Sequence, residues 1–227
     1  MMSSLESDQD DAKTRLKRAA QDLFARNGID GVTIRQIVTA AGQRNNAALH
    51  YHYGTKEDLV RQLLIEGAQQ IDSRRQEMLA AIDAAGGPRS VQEVLRVLVL
   101  PVIELELDSA RKGYIRLVAN VQTTHRALLR SALGDRWNAG YVRCLDLLRA
   151  LIITVPPKIL EQRLSFLGMY SNAFLSARDA ALDSSSPIAA HRFWGLSYTT
   201  DNFLDTLEAL LTCPPSRGVL DELEGHA

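Results

Sequence analysis

Between Thr33 and Lys56 the chain gathers side chains able to meet the edges of bases and the phosphates that join them. The amides of Asn45 and Asn46 can bond an adenine edge in two places, Ala47 can touch a thymine methyl, and His50 or Tyr51 can reach a base or a phosphate. Thr33, Arg35, Arg44 and Lys56 offer a hydroxyl and cations of the kind that hold phosphate oxygens. Other chemistries find no support. His50 and His52 stand two apart, which on a helix turns them to nearly opposite faces, whereas a metal pair wants i, i+4. There is no GxSxG, no HExxH, no glycine-rich phosphate loop and no paired carboxylates, so no catalytic residue, metal or cofactor is expected. Cys144 and Cys213 lie far apart and form no CxxC, which reads as two thiols in a reducing compartment, the cytoplasm.

Such side chains need a scaffold, and the flanking pattern predicts helices. From Lys13 to Arg26 the apolar residues Leu16, Ala19, Ala20, Leu23 and Phe24 follow an amphipathic i, i+3, i+4, i+7, i+8 spacing. Asn27-Gly28 stops this helix. Thr33 to Gln36 fits a capping box opening a short helix on Ile34, Ile37, Val38 and Ala41, ended by Gly42. A polar turn over 43–46 leads into a third helix over about 46–53. Thr55 to Asp58 is another cap signature, opening a long fourth helix striped with Leu59, Val60, Leu63, Leu64, Gly67, Ala68 and Ile71. Two short helices joined by a tight glycine turn form a helix-turn-helix, whose second helix enters the major groove while the first crosses the backbone.

Helical punctuation continues. Gly86-Gly87-Pro88 is a break, Ser90 to Glu93 predicts a further capping box, and Pro101 kinks the fifth helix. Helices are expected over about 112–123, 126–133 and 135–155. Pro156-Pro157 and 184–187 then bound the last two long helices, with Ser186 as cap and Pro187 at the first position. No segment alternates like a strand, so the predicted fold class is all-α. With 227 residues, 46% hydrophobic and 23% charged, the chain is neither disordered nor a disulfide mini-protein. Its longest apolar run, 97–103, is well short of the roughly 20 residues of a membrane span, and its acidic start is not a secretory signal. The net charge of −1 hides an asymmetry. Residues 11–66 carry nine bases against six acids, while 1–10 carry three acids and no base. A small basic module followed by a larger near-neutral one points to two jobs.

The residues from Gly31 to Ile37, then Ala40-Ala41-Gly42, then Leu49 to Leu59, resemble the DNA-binding domain of TetR/AcrR-family transcriptional regulators. The family pattern reads T-[IV]-x-x-[IV]-A-x-x-A-G, then L-Y-x-[HY]-F-x-[ST]-K-E-x-L after several residues. Here Val38 replaces the usual alanine, His50 the commonest tyrosine, and the turn between Gly42 and Leu49 is one residue longer.

The resemblance implies a ligand-responsive regulator of transcription, a repressor, bound as a homodimer to a palindromic double-stranded DNA operator and released by a small, largely apolar effector. It implies a disordered acidic arm over 1–11, a helix-turn-helix domain over 12–58, a helical effector-binding and dimerisation domain over 59–213, and a tail over 214–227. The middle helices offer Leu98, Val102, Tyr114, Leu117, Val118, Gln122, Trp137 and Tyr141 as walls of an effector pocket, a mixture that equally suits a bundle core. The last two long helices offer Leu160, Leu164, Leu167, Ser171, Phe174, Phe203, Leu204, Leu207, Leu210 and Leu211 as a dimer face, or as the monomer's own core. A DNA-bound activator or a nucleoid-associated protein would share the same module, and a helical ligand carrier or enzyme would leave that module without a use.

Overall fold

The computed structural model describes residues 2–45, 47–108, 111–134, 136–183 and 192–225. Among the described residues every regular element is helical. In chain order these are α1 (Met2–Asn27), α2 (Ile34–Ala40), α3 (Ala47–Tyr53), α4 (Lys56–Ala84), α5 (Val91–Leu107), α6 (Tyr114–Thr124), α7 (Arg126–Leu133), α8 (Ala139–Leu151), α9 (Pro157–Leu182), α10 (Thr199–Thr212) and α11 (Arg217–Gly225). A single 3-10 turn, Arg192–Gly195, precedes α10.

The caps set the boundaries. The capping boxes at Thr33–Gln36 and Thr55–Asp58 are complete. Ser90 makes half of one: its hydroxyl accepts from Glu93 N, but the Glu93 carboxylate turns to Arg89 N at 2.7 Å. Gly42 turns the chain between α2 and α3 with φ +69°, a conformation that side-chain-bearing residues adopt at a cost. Three boundaries differ from expectation. α1 spans Met2–Asn27 and so starts before the expected Lys13. α8 is shorter than 135–155, because Gly134 and Trp137, with φ +62°, break the chain before it and Ile152 ends it. The expected tail folds as α11, whose Leu220 and Leu223 pack against the main core. Ser186 and Pro187 lie outside the described residues.

Two apolar cores result. The smaller gathers Leu16, Ala20, Phe24, Ile37, Leu49, Leu59 and Leu63 from α1 to α4, and it is completed by Leu117 and Val121 of α6 and Ala132 of α7. The larger joins α4, α5, α6, α8, α9 and α10 around Leu79, Leu95, Leu148, Leu204 and Leu207. α6 divides its faces between them: Tyr114 and Ile115 enter the larger core, Leu117 and Val121 the smaller, and Val118 touches both. At its start the Tyr114 ring lies on α4 at Gly67, where a Cβ would fall 2.2 Å from the ring. The Tyr114 hydroxyl donates to Leu64 O at 2.9 Å.

Polar ties reinforce the seam. Glu66 of α4 accepts from Lys17 of α1 and, at 3.2 Å, from both terminal nitrogens of Arg111. Burial alone would raise the Glu66 pKa, but these two cations overcome it and hold the carboxylate below its ordinary value. Gln21 Nε2 donates to Lys112 O at 3.0 Å, and Arg61 to Ser131 Oγ at 2.7 Å.

The expected dimer face needs correction. Leu160, Leu164, Leu167, Phe203, Leu204, Leu207 and Leu211 are all buried within one copy of the chain, so they complete its own core and have little or no surface left for a partner. Ser171, Phe174 and Leu210 are partly buried; Phe174 stacks flat on Phe203 with centroids 3.7 Å apart. α9 instead shows solvent Phe166, Met169 and Tyr170. Among the described residues no helix is long and apolar enough to cross a membrane.

Candidate nucleic-acid interface and ligand chamber

The smaller core fixes the angle at which α2 and α3 face outward. Leu49 is fully buried, and the Tyr53 hydroxyl donates to Lys13 O of α1 at 2.7 Å, which pins both ends of the short α3. Burial, with the Glu66 charge adding to it, pushes the Tyr53 pKa far up, so its hydroxyl stays a donor.

On the outward side Tyr51 is 77% exposed, with its ring edge-on to His52 at 5.1 Å. An aromatic left in water on a helix whose other face is buried is poised for a partner. His50 is also exposed, and its Nδ1 lies 2.8 Å from Gly54 O. A carbonyl only accepts, so Nδ1 is the donor of this bond. The residue standing in place of tyrosine therefore closes the turn into α4. Asn45 Oδ1 accepts from Ala47 N at 2.9 Å at the start of α3, and its amide nitrogen has no partner among the described residues. Ala47 is exposed beside it. Asn46 lies outside the described residues.

The cations divide into two kinds. Arg35, in the first turn of α2, and Arg44, in the turn before α3, are exposed and form no ion pair among the described residues. They are available to phosphate. Lys56 is not equally free: its ammonium donates to Ile29 O and Val32 O, each at 2.9 Å, and so fastens the α1–α2 loop to the start of α4. Two of its three donors are engaged, which makes positioning of the head its first role. Thr33 is likewise a cap, its hydroxyl accepting from Gln36 N at 3.3 Å and donating to Gln36 Oε1 at 2.8 Å.

Within the larger core lies a cavity of about 240 Å³. Of the effector residues expected from the sequence, Leu98, Val102, Gln122 and Tyr141 line it. The other four do not. Tyr114 is buried against Gly67, Leu117 belongs to the smaller core, Val118 packs between the cores, and Trp137 faces a separate groove beside Arg126. α9 closes the cavity with Leu167, Ser171, Asn172 and Leu175. Gln122 and Asn172 are hydrogen-bonded to each other and also line an open groove of about 690 Å³ between α6 and α9, so this pair stands between the cavity and that groove.

Among the lining residues that were not anticipated is the one charged side chain, Arg75 of α4. Burial pulls its pKa below the ordinary guanidinium value. The signal was present in the sequence, because 75 falls on the apolar stripe of α4, one turn beyond Ile71 and one before Leu79. A cation on a buried stripe requires a reason.

Comparison with known proteins agrees with this geometry. Residues 16–63, from α1 to the first two turns of α4, match the family model described as bacterial regulatory proteins, tetR family. A crystal structure assigned to the tetR family of transcription regulators, from Shewanella sp. PV-4, superposes with a TM-score of 0.55 at 14% identity, covering 88% of this chain and 95% of its own. The TetR family transcriptional regulator PfmR from Thermus thermophilus gives a TM-score of 0.48 at 14% identity, over 88% of this chain and 100% of its own. At this identity the first likeness is one of fold. No curated protein matches the chain.

Proposed function

We propose that this chain, a member of the tetR family of bacterial regulatory proteins through residues 16–63, is a cytoplasmic repressor that binds a palindromic operator as a homodimer and leaves it when a small effector binds. The observation that carries the reading is the outward face of the head. Tyr51, His50 and Arg35, on short helices whose inner faces are locked into a filled core, and Arg44, in the turn between them, are displayed to solvent. Side chains held rigidly can discriminate between base edges; Arg35 and Arg44 give register on the phosphates.

Two copies would place two such heads about one turn of DNA apart, roughly 34–36 Å, as a palindrome requires. The exposed apolar side of α9, with Phe166, Met169 and Tyr170 beside the small Ala173 and Ala177, supports pairing there. The cavity supports the response to ligand. Its walls include α4, which begins in the head, and α6, which packs into both cores. A ligand that holds these helices in one arrangement shifts the spacing of the heads, and a coupling of about 1–3 kcal/mol changes operator affinity some 5–150-fold.

The test is a titration of the purified protein against the DNA upstream of its own gene, with scrambled DNA beside it, at two salt concentrations. Preferential binding that falls steeply with salt is expected, and Arg35→Ala, which removes one phosphate contact from each copy of the dimer, should lower the slope of log K against log salt by about 1.8. Equal, feeble binding to both DNAs would overturn the reading.

A further inference from the structure

Arg75 faces the cavity with its charge unbalanced by any carboxylate within 4.0 Å among the described residues. Its Nη2 donates to Leu98 O at 2.8 Å, and its guanidinium lies 5.7 Å from the centre of the Tyr141 ring. Its Nε is shut away from solvent without a hydrogen-bond partner. The nearest acid on its own helix, Asp72, accepts from Gly140 N at 2.8 Å and is held by α8. The other titratable groups around it, Tyr114, Tyr141 and Cys144, have pKa values raised by burial and are neutral near pH 7. The other walls are mostly hydrocarbon, Val99, Val102, Ile115, Leu167 and Leu175 among them, with Gln122, Ser171 and Asn172 as polar exceptions.

A buried donor left unmade is costly, as is a part-buried cation left without a carboxylate, and each is relieved by an anion placed against them. A guanidinium presents parallel N–H donors that suit a planar carboxylate in two-point contact. A doubly charged phosphate fits less well, with one cation to meet it and Asp72 close by. The rest of the ligand must be apolar to match the walls. It must also be compact, since about 240 Å³ lies just below the range of about 300–1,000 Å³ that accommodates drug-sized molecules.

We infer that the cavity takes a small apolar carboxylic acid, its carboxylate on Arg75 and its hydrocarbon body among Val102, Ile115, Leu167 and Leu175. The inference rests on reading the cavity as the effector chamber, and it gives the effector its chemical class. It also places the ligand's charge on α4, the helix that begins in the DNA-binding head, so that occupancy bears directly on the element that carries the head.

Calorimetric titration of the full chain at pH 7 with octanoate and octan-1-ol, and with phenylacetate and 2-phenylethanol, separates charge from shape. At least one acid should bind ten or more times tighter than its alcohol. Arg75→Met, checked for folding by far-UV circular dichroism, should remove that preference, while Arg75→Lys should keep part of it. Acid and alcohol binding alike, an Arg75→Met protein that binds the acid as well as wild type, or no binding of either acid would each overturn the inference. Operator DNA in a parallel titration distinguishes the two readings. An acid that needs Arg75 to bind yet leaves DNA retention unchanged sinks the effector role and keeps the acid site. Release by acid and alcohol alike does the reverse.

Discussion

Gly67→Ala probes the contact between the two cores. The added methyl would lie 2.2, 2.4 and 2.6 Å from Cε2, Cζ and Cδ2 of Tyr114, where carbon atoms rest at about 3.5–4.0 Å. The ring would have to withdraw by more than an ångström. It has little freedom to do so, because Tyr114 is 3% exposed and its hydroxyl is tied to Leu64 O one turn away on α4. Overpacking of this kind costs about 1–3 kcal/mol, and pulling the hydroxyl off its buried acceptor adds a similar amount. Alanine returns only about 1 kcal/mol of helix propensity. The expected net loss is about 3 kcal/mol, which for a chain of this size lowers the melting temperature by roughly 6–12 °C. Scanning calorimetry of wild type, Gly67→Ala, Tyr114→Leu and the double variant reads it. With the ring gone the alanine should be neutral or stabilising, whereas in a Tyr114→Phe background, which keeps the ring, it should still destabilise. A Gly67→Ala protein as stable as wild type, or a double variant no better than the sum of the single losses, would refute the reasoning.

Three further outcomes are expected. Burial, with the Asp179 charge adding to it, pushes the Glu106 pKa up to about 8, against the pull of Arg178 and Arg116. Because the folded protein then holds this proton more tightly than the unfolded chain, Glu106 should cost stability as pH rises from about 4.5 to about 8, at up to ~1.4 kcal/mol per pH unit. Glu106→Gln should therefore gain on wild type between pH 5.5 and 8 in urea melts; parallel pH profiles would exclude this. On the last two long helices, Leu207→Ala should cost about 2–5 kcal/mol as an ordinary core truncation. Met169→Glu should instead leave one copy folded and shift the light-scattering mass to that of a monomer, and a dimer that survives Met169→Glu would place pairing elsewhere.

Much of the head was legible because its instructions are local. A threonine three residues before a glutamine or an aspartate, a glycine that can turn left-handed, and apolar residues one turn apart set helix ends and faces without reference to anything distant. The body was less so. Periodicity identified Leu160, Leu164, Phe203 and Leu207 as buried, but an apolar face says that it is covered and not by what; α5, α8 and α9 of the same chain cover it here. The same ambiguity hid α11, whose Leu220 and Leu223 acquire meaning only against a core already built. Lys56 was legible as a charge near the DNA-facing turn, yet its hold on Ile29 and Val32 depends on how the chain folds back across more than twenty residues. Arg75 could have been found by asking which charge breaks an apolar stripe.

The smaller core is not sealed by α1 to α4 alone: Leu117 and Val121 arrive from some fifty to sixty residues beyond α4's first turns, and Ala132 from some seventy. A fragment cut after residue 63 would lack Leu64 and the α6 and α7 residues that share the core with Phe24 and Leu63, so it is not a portable module. Grafting this head onto another body would need α6 and α7 to travel with it, or a new pair of helices that reproduces their apolar side. Replacing the body in turn would alter how the head is clasped. In this chain, recognition of DNA and reception of ligand are thus exchangeable only together, and a hybrid regulator would have to be joined inside the larger core rather than along the fourth helix.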